Sequence, residues 1–214
     1  MRFSLLLRTG CLGVIACTMT GCIAPLVVGG AAITTATVVT DRRSPGSIVS
    51  DEVLEKRVSY EIAKSLGEVD SHITVTSYSG RVLLTGEVPN AQIQARVRQV
   101  AADSLDVVAV VDELAVMPVS SMSSRLSDSL LATKVRTALI GNGKVSLNQM
   151  KVVSERGIVY LMGIVTKDES QEAVRTVVGV PGVQKVVSCF EVESAAEIAE
   201  RMKDIRPVGQ SEVR

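Results

Sequence analysis

The sequence predicts an α+β fold made of two tandem copies of one small domain, each with the order αββαβ and two helices packed on one face of a three-stranded mixed sheet. The main observation is an internal repeat. A shift of 77 residues aligns like residues: Asp51 with Asp128, Leu54 with Leu131, Gly80 with Gly157, Val82 with Val159 and Gly86 with Gly163. Within each copy, apolar residues recur first at helical spacing and then at strand spacing.

A helix is predicted to open each domain. Leu54, Val58 and Ile62 are spaced by four and form one apolar helical face, with Asp51 before them as the expected N-cap. The second copy repeats the pattern with Asp128, Leu131, Val135 and Leu139.

Two strands joined by a tight turn follow this helix. They cover 73–76 and 81–88, and Gly80 between them supplies the positive φ that a tight hairpin turn needs. The second copy has the matching strands 150–154 and 158–165 around Gly157.

The second helix and third strand complete each domain. Asn90 and Thr166 stand at the starts of second helices. Segments 107–116 and 183–192 then read as third strands.

The repeat also sets the predicted boundaries. They are 51–118 for the first domain, 119–127 for a Ser-rich linker, 128–193 for the second domain and 194–214 for a C-terminal tail. We expect the tail, with its short helix candidate at 196–203, to lie outside the core.

Residues 1–21 predict a lipoprotein signal peptide, with a basic start and a short apolar run before Cys22. A small residue directly before Cys resembles the bacterial lipobox, which implies acylation of Cys22, and Ile23 after it implies outer-membrane sorting. Cys17 is an alternative lipidation site that leaves a shorter apolar run. An uncleaved membrane span is disfavoured because Arg8, glycines and threonines interrupt the ~20 apolar residues it needs.

Residues 22–50 are predicted to join the lipidated Cys to the folded part. The chain carries no charge from Ala24 to Thr40 and then reads Asp41-Arg42-Arg43. Two interpretations stay open, a segment that lies against lipid or a partner and a plain tether.

Composition excludes several classes of function. The 23 basic and 23 acidic residues cancel, which argues against non-specific nucleic-acid binding. His72 is the single histidine, so neither a His-based triad nor a His-cluster zinc site is predicted. Cys189, alone after lipidation, reads as a buried strand residue. We therefore predict no enzyme, no cofactor, no metal site and no small-molecule substrate.

The repeated glycine pattern carries a family resemblance. Gly80-x-Val82-x-Leu84-x-Gly86 recurs in the second copy, and with the αββαβ order and the lipobox the chain resembles the dual-BON-domain outer-membrane lipoproteins of Gram-negative bacteria. The resemblance implies a periplasm-facing protein that supports outer-membrane integrity and binds anionic phospholipid through its second domain. It also implies a link to the outer-membrane protein assembly machinery.

Charge is divided unevenly between the two domains. Domain one is acidic, whereas domain two has no acid from Ser129 to Ser154 and carries four basic residues there: Lys134, Arg136, Lys144 and Lys151. Basic side chains near anionic headgroups contribute up to ~1 kcal/mol each, and the matching acidic stretch of domain one is expected to be repelled. A solvated helix face is the alternative.

Five residues of the helix that opens domain two are predicted to contact phospholipid: Leu130, Thr133, Lys134, Arg136 and Thr137. If Leu131, Val135 and Leu139 face inward, then Leu130 and Lys134 face outward. Because aromatic residues are scarce, attraction to charged headgroups is expected to contribute more to membrane binding than deep insertion does. The alternative function is a protein-interaction adaptor that docks on the assembly machinery.

Overall fold

The computed structural model describes residues 41–205. The signal peptide, Cys22, most of the 22–50 segment and the end of the tail lie outside the described residues. The described elements are α1 (Pro45–Leu66), β1 (His72–Tyr78), β2 (Arg81–Val88), α2 (Ala91–Asp103), β3 (Ala109–Val116), α3 (Met122–Asn142), a 3-10 turn (Leu147–Gln149), β4 (Met150–Glu155), β5 (Ile158–Val165), α4 (Lys167–Val178), β6 (Lys185–Val192) and α5 (Ala195–Asp204).

Each domain contains one mixed three-stranded sheet. In the first, β2 lies in the centre, antiparallel to β1 and parallel to β3. In the second, β5 takes the same place between β4 and β6. The predicted fold class, two αββαβ copies, is therefore confirmed.

The two helices of each domain pack on the same face of its sheet. Val58 of α1 and Val97 of α2 are fully buried against Val82 and Leu84 of β2. The matching cluster in the second domain contains Val135, Val159, Leu161 and Val177. The period of four in the sequence thus marks the side of α1 and α3 that faces the sheet.

The first helix of each domain begins earlier than predicted, and the N-cap assignments of Asp51 and Asp128 are wrong. Ser44 caps α1 by accepting from the backbone N–H of Ser47, and Ser121 caps α3. The interval between β3 and α3 is consequently shorter than the predicted 119–127 linker, since α3 begins at Met122.

Asp51 and Asp128 instead hold the hairpin turns of their own domains. Asp51 accepts from the backbone N–H of Ser79 at 2.8 Å and of Gly80 at 2.9 Å. Asp128 contacts the matching turn in the second domain. Burial would raise the pKa of Asp51, but the hydrogen bonds from Gly80, Ser77 and Arg43 outweigh it and lower the pKa.

Two glycines of the repeated motif have different functions. Gly80 in the turn has a φ of 75°, as the hairpin prediction requires. Gly86 of β2 is paired with Ile73 of the antiparallel strand β1, and a Cβ there would overlap the backbone carbonyl of His72. Gly163 meets the backbone of Gln149 in the same way. The second glycine is therefore required by close backbone approach.

The opposite faces of the two sheets meet each other. Leu83 of β2 joins Tyr160, Met162 and Ile164 of β5 in one buried cluster. Ile198 of α5 belongs to the same cluster and is buried. The prediction that the tail lies outside the core is therefore wrong for α5, whose apolar face packs between the domains.

Polar contacts also cross between the domains. Arg156, in the turn between β4 and β5, donates to Glu87 of β2 at 3.0 Å and to the carbonyl of Gly86 at 3.0 Å. Lys151 pairs with Glu55 at 2.6 Å. Each of these contacts therefore links a residue of the second domain to a residue of the first.

The segment that leads into α1 is held by both domains. Arg42 donates to the carbonyl of Ile164 and makes a two-point ion pair with Glu169, all at 2.8 Å. Arg43 pairs with Asp51 of the first domain at 2.8 Å and lies 4.0 Å above the ring centroid of Tyr78. The side chains of these two arginines are almost completely buried.

Cys189 lies in β6 and is buried, as its strand setting predicted. Burial raises the pKa of its thiol to about 11. Across residues 41–205, none of the helices combines the length and hydropathy that a membrane crossing requires.

Candidate lipid-contact site

The predicted site residues of α3 lie mainly on one exposed face. Leu130 is 56% exposed, and Thr133, Lys134 and Thr137 are exposed beside it. The spacings of three, four and seven place these four side chains on one side of the helix. The buried residues Leu131, Val135 and Leu139 occupy the opposite side, as predicted.

The same face carries three further apolar residues that the sequence prediction did not include. Met122, Leu126 and Ile140 are each more than 60% exposed. Leu126 and Met122 precede Leu130 by four and eight residues, and Ile140 lies along the same side of the stripe as Met122. Met122 and Leu126 were assigned to the linker because the start of the helix was predicted too late, so the stripe is more apolar than expected.

Arg136 differs from the other four predicted residues in the contact that its side chain makes. Its guanidinium donates to the carbonyl of Val152 at 2.8 Å and lines a cleft with Glu55 and Lys151. Arg136 is exposed on α3 and lies four residues before Ile140, so it is on the same side of the helix as Ile140. It therefore borders the apolar stripe, while its guanidinium is held at the carbonyl of Val152.

Lys134 is the basic residue of this stretch that remains unpaired. Lys151 forms an ion pair with Glu55, and Lys144 contacts Glu172 at 3.4 Å. Among the described residues 41–205, Lys134 makes no hydrogen bond or ion pair. Its ammonium group is thus free to bind an anion.

A groove of about 570 Å³ runs beside Lys134 between α3 and the end of α4. Its lining residues are Thr133, Lys134, Thr137, Ala138, Thr176, Gly179, Val180 and Pro181. Most of this lining is apolar, so an aliphatic group can enter at one side while an anion meets Lys134.

The threonines of the groove present acceptors to a ligand. Thr133 donates its hydroxyl to the carbonyl of Ser129, Thr137 to that of Thr133, and Thr176 to that of Glu172. A hydroxyl has one proton and two lone pairs, so the oxygens of Thr133 and Thr137 keep acceptor capacity, whereas Thr176 already accepts from the side-chain amide of Asn142 at 2.7 Å. The groove therefore favours a ligand that combines a negative charge with hydroxyl donors.

Metal-binding chemistry has no candidate in the described part of the chain. Between Asp41 and Ile205, no three His, Cys, Asp or Glu side chains are grouped so as to hold a metal ion. His72 lies in β1, 3.9 Å from the carboxylate of Glu155, and burial lowers the pKa of its imidazole.

Two tandem αββαβ domains, each with the same glycine motif, define the class of this protein as a tandem-domain α+β protein. The family model for the BON domain matches residues 50–118 and 127–194. The chain belongs to the BON domain family. The predicted resemblance is thereby confirmed at the level of family and fold.

Similar proteins extend over most of the chain. It is 35% identical over 172 residues to the outer membrane lipoprotein DolP of Haemophilus influenzae, and the alignment covers 80% of this chain and 88% of that protein. It is 31% identical over 148 residues to a 21 kDa hemolysin of Actinobacillus pleuropneumoniae, covering 69% and 76% of the two chains.

Similarity to a solved structure is weaker. CdsD, a structural protein of the type III secretion system of Chlamydia trachomatis, aligns at 13% identity and a TM-score of 0.30. The alignment covers 70% of this chain and 99% of that one, and this likeness is too low to carry an inference.

Proposed function

We propose that this chain is a non-enzymatic outer-membrane lipoprotein that faces the periplasm and binds anionic phospholipid through its second BON domain, thereby maintaining outer-membrane integrity. The similarity to an outer membrane lipoprotein supports this location. Acylation of Cys22 would supply the permanent anchor, since several acyl chains exceed what stable attachment needs.

The observation that carries the proposal is the exposed face of α3. Four large apolar side chains line it, and unpaired Lys134 stands at its edge. These four are Met122, Leu126, Leu130 and Ile140. A helix of this kind lies in the plane of the bilayer surface with its apolar side among the upper acyl chains.

Apolar burial would contribute more than charge to the proposed binding, which reverses the expectation from the sequence because the exposed stripe holds more apolar side chains than predicted. Burying a Leu or Met side chain completely contributes about 1.5–3 kcal/mol, whereas one lysine near an anionic surface contributes about 1 kcal/mol. Partial insertion of four side chains therefore exceeds the attraction of Lys134 alone. Lys134 would then make the binding selective for anionic phospholipids.

The groove beside Lys134 supports a glycerol headgroup of the phosphatidylglycerol type. Lys134 would bind the phosphate, and the headgroup hydroxyls would donate to the oxygens of Thr133 and Thr137. A headgroup without hydroxyls leaves these acceptors unmatched.

Vesicle binding tests the proposal. The mature chain, expressed without acyl groups, is sedimented with phosphatidylglycerol vesicles, and Leu130→Glu combined with Lys134→Glu is expected to weaken binding at least tenfold. Lys185→Glu changes an exposed lysine of β6 and serves as the matched control. Equal binding by the double variant and the control contradicts the proposal.

In-cell crosslinking separates this function from the adaptor alternative. A discrete protein adduct that survives Leu130→Glu plus Lys134→Glu, in a protein that also fails to bind vesicles, would favour docking on the outer-membrane protein assembly machinery.

A further inference from the structure

The exposed face of α1 in the first domain has the same layout as the α3 face. Val49 and Val53 of α1 correspond in the repeat to Leu126 and Leu130 of α3, and all four are more than half exposed. Tyr60, which corresponds to Thr137, is 67% exposed. The first domain thus presents an apolar stripe of its own.

The charge of the α1 face differs from the charge of the whole domain. Lys56 and Lys64 share the exposed side with Val53 and Tyr60, and both lysines are exposed. Glu52, at the edge of this side, is its single acid among the described residues. The face is therefore basic, although the first domain as a whole is acidic.

The remaining acids of this region are directed elsewhere. Glu55 is taken up by Lys151 of the second domain and by the backbone N–H of Ser77. Glu61 is half-buried at the flank, and Glu68 follows the end of the helix. The expectation that anionic lipid repels this helix rested on several acids, of which its exposed face carries Glu52 alone.

We infer that the exposed face of α1 is a second membrane-contact surface, which binds an anionic phospholipid bilayer independently of α3. This inference rests on the proposed function and extends it, since it assigns the same lipid to a second site. Val49 and Val53 would enter the upper acyl region, and Lys56 and Lys64 would extend to phosphates. Tyr60 has the amphipathic ring that suits a membrane interface.

The position of α1 in the chain also favours a membrane as its occupant. Within the described residues 41–205, α1 is the first helix after the predicted acylation site, and Asp41 already belongs to the described structure. The chain from Cys22 to Asp41 reaches at most on the order of 65 Å. Attachment of this kind raises the effective concentration of lipid at the helix, so weak contacts suffice.

The absence of tryptophan from the sequence provides a direct test. Tyr60→Trp, Leu130→Trp and Val192→Trp each create a single reporter, on α1, on α3 and at the exposed end of β6. The acyl-free mature chain is mixed with phosphatidylglycerol vesicles that contain brominated lipid. We expect a blue shift and at least twofold quenching at positions 60 and 130, and neither at 192.

A variant that also carries Leu130→Glu and Lys134→Glu tests whether α1 binds the bilayer without α3. The signal of Tyr60→Trp is expected to persist there, and Lys56→Gln with Lys64→Gln should then weaken vesicle binding about tenfold or more. Glu52→Gln is the matched control and should leave binding unchanged or tighten it.

Two results would overturn the inference. If the Tyr60→Trp reporter is silent while the Leu130→Trp reporter responds, the second surface does not exist and the proposed function stays intact. If the Tyr60→Trp signal disappears in the α3-impaired background, α1 merely follows α3. The reverse pattern, a silent Leu130→Trp reporter beside a responsive Tyr60→Trp reporter, contradicts the proposed function and supports the α1 surface alone.

Discussion

Arg156 of the second domain donates to Glu87 of the first at 3.0 Å, and the Glu87 side chain has no exposed surface. Burial alone would raise the pKa of Glu87, but the hydrogen bonds from Arg156 and Ser120 hold it below its ordinary value. The interface between the domains therefore contains a charge whose partner comes from the other repeat.

Removal of Arg156 is expected to destabilise the protein strongly. Arg156→Met leaves the carboxylate of Glu87 buried without its cation, which costs about 3–5 kcal/mol of unfolding free energy. Urea denaturation measures the loss, and Glu87→Gln in the same chain should recover part of it. Arg175→Met is the control, since Arg175 pairs with Glu172 at the surface and should cost less than about 1 kcal/mol. Equal losses in both variants would contradict the assignment.

Glu155 should make stability depend on pH. Burial, together with the carboxylates of Glu87 and Asp128, raises its pKa to about 7, while Arg156 and Arg125 oppose the rise. His72 faces the same carboxylate at 3.9 Å. The folded state holds this proton more tightly than the unfolded chain, so stability falls as pH rises from about 4.5 to about 7.

Replacing Glu155 by Gln removes this dependence. We expect Glu155→Gln to raise the unfolding free energy at pH 8 by on the order of 2 kcal/mol and to change it little near pH 4.5. Thermal unfolding at the two pH values measures the difference. Glu200→Gln, at an exposed position of α5, should show no such pattern. A stabilisation that is the same at both pH values would exclude a role for this pKa.

The second glycine of each motif should not tolerate a side chain. Gly86→Ala and Gly163→Ala place a Cβ against a neighbouring strand backbone, which should cost roughly 3 kcal/mol or more. Gly141→Ala, near the end of α3 with open space around it, should stabilise by about 0.5–1 kcal/mol. Urea denaturation compares the three variants. A mild effect at Gly86 would mean that β1 and β2 separate easily.

The repeat and its periodicities were sufficient to predict the fold of each domain. Spacing by four identified the buried sides of α1 and α3, and the glycine pattern identified the hairpins. The starts of these helices were missed because Asp51 resembles an N-cap in sequence. An aspartate accepts backbone N–H groups equally well from a helix end and from a turn that lies distant in sequence.

The candidate site was predicted only in part. Leu130, Thr133, Lys134 and Thr137 share one face, because their spacing alone determines it. The direction of the Arg136 guanidinium could not be predicted, since it depends on the carbonyl of Val152 in β4. Packing of the sheets was not predicted either. The sequence feature that indicated this packing is the unbroken apolar run of β5, which is buried on both faces.

The two arginines that lead into α1 determine which domains bear a force that is applied to the N-terminal side of the chain. Arg42 is held by the second domain through two hydrogen bonds to Glu169, and Arg43 is held by the first domain through one hydrogen bond to Asp51. A force applied to the chain before Asp41 is therefore shared between the two domains before it reaches either core. Membrane attachment at Cys22 would then load the domain pair as a unit.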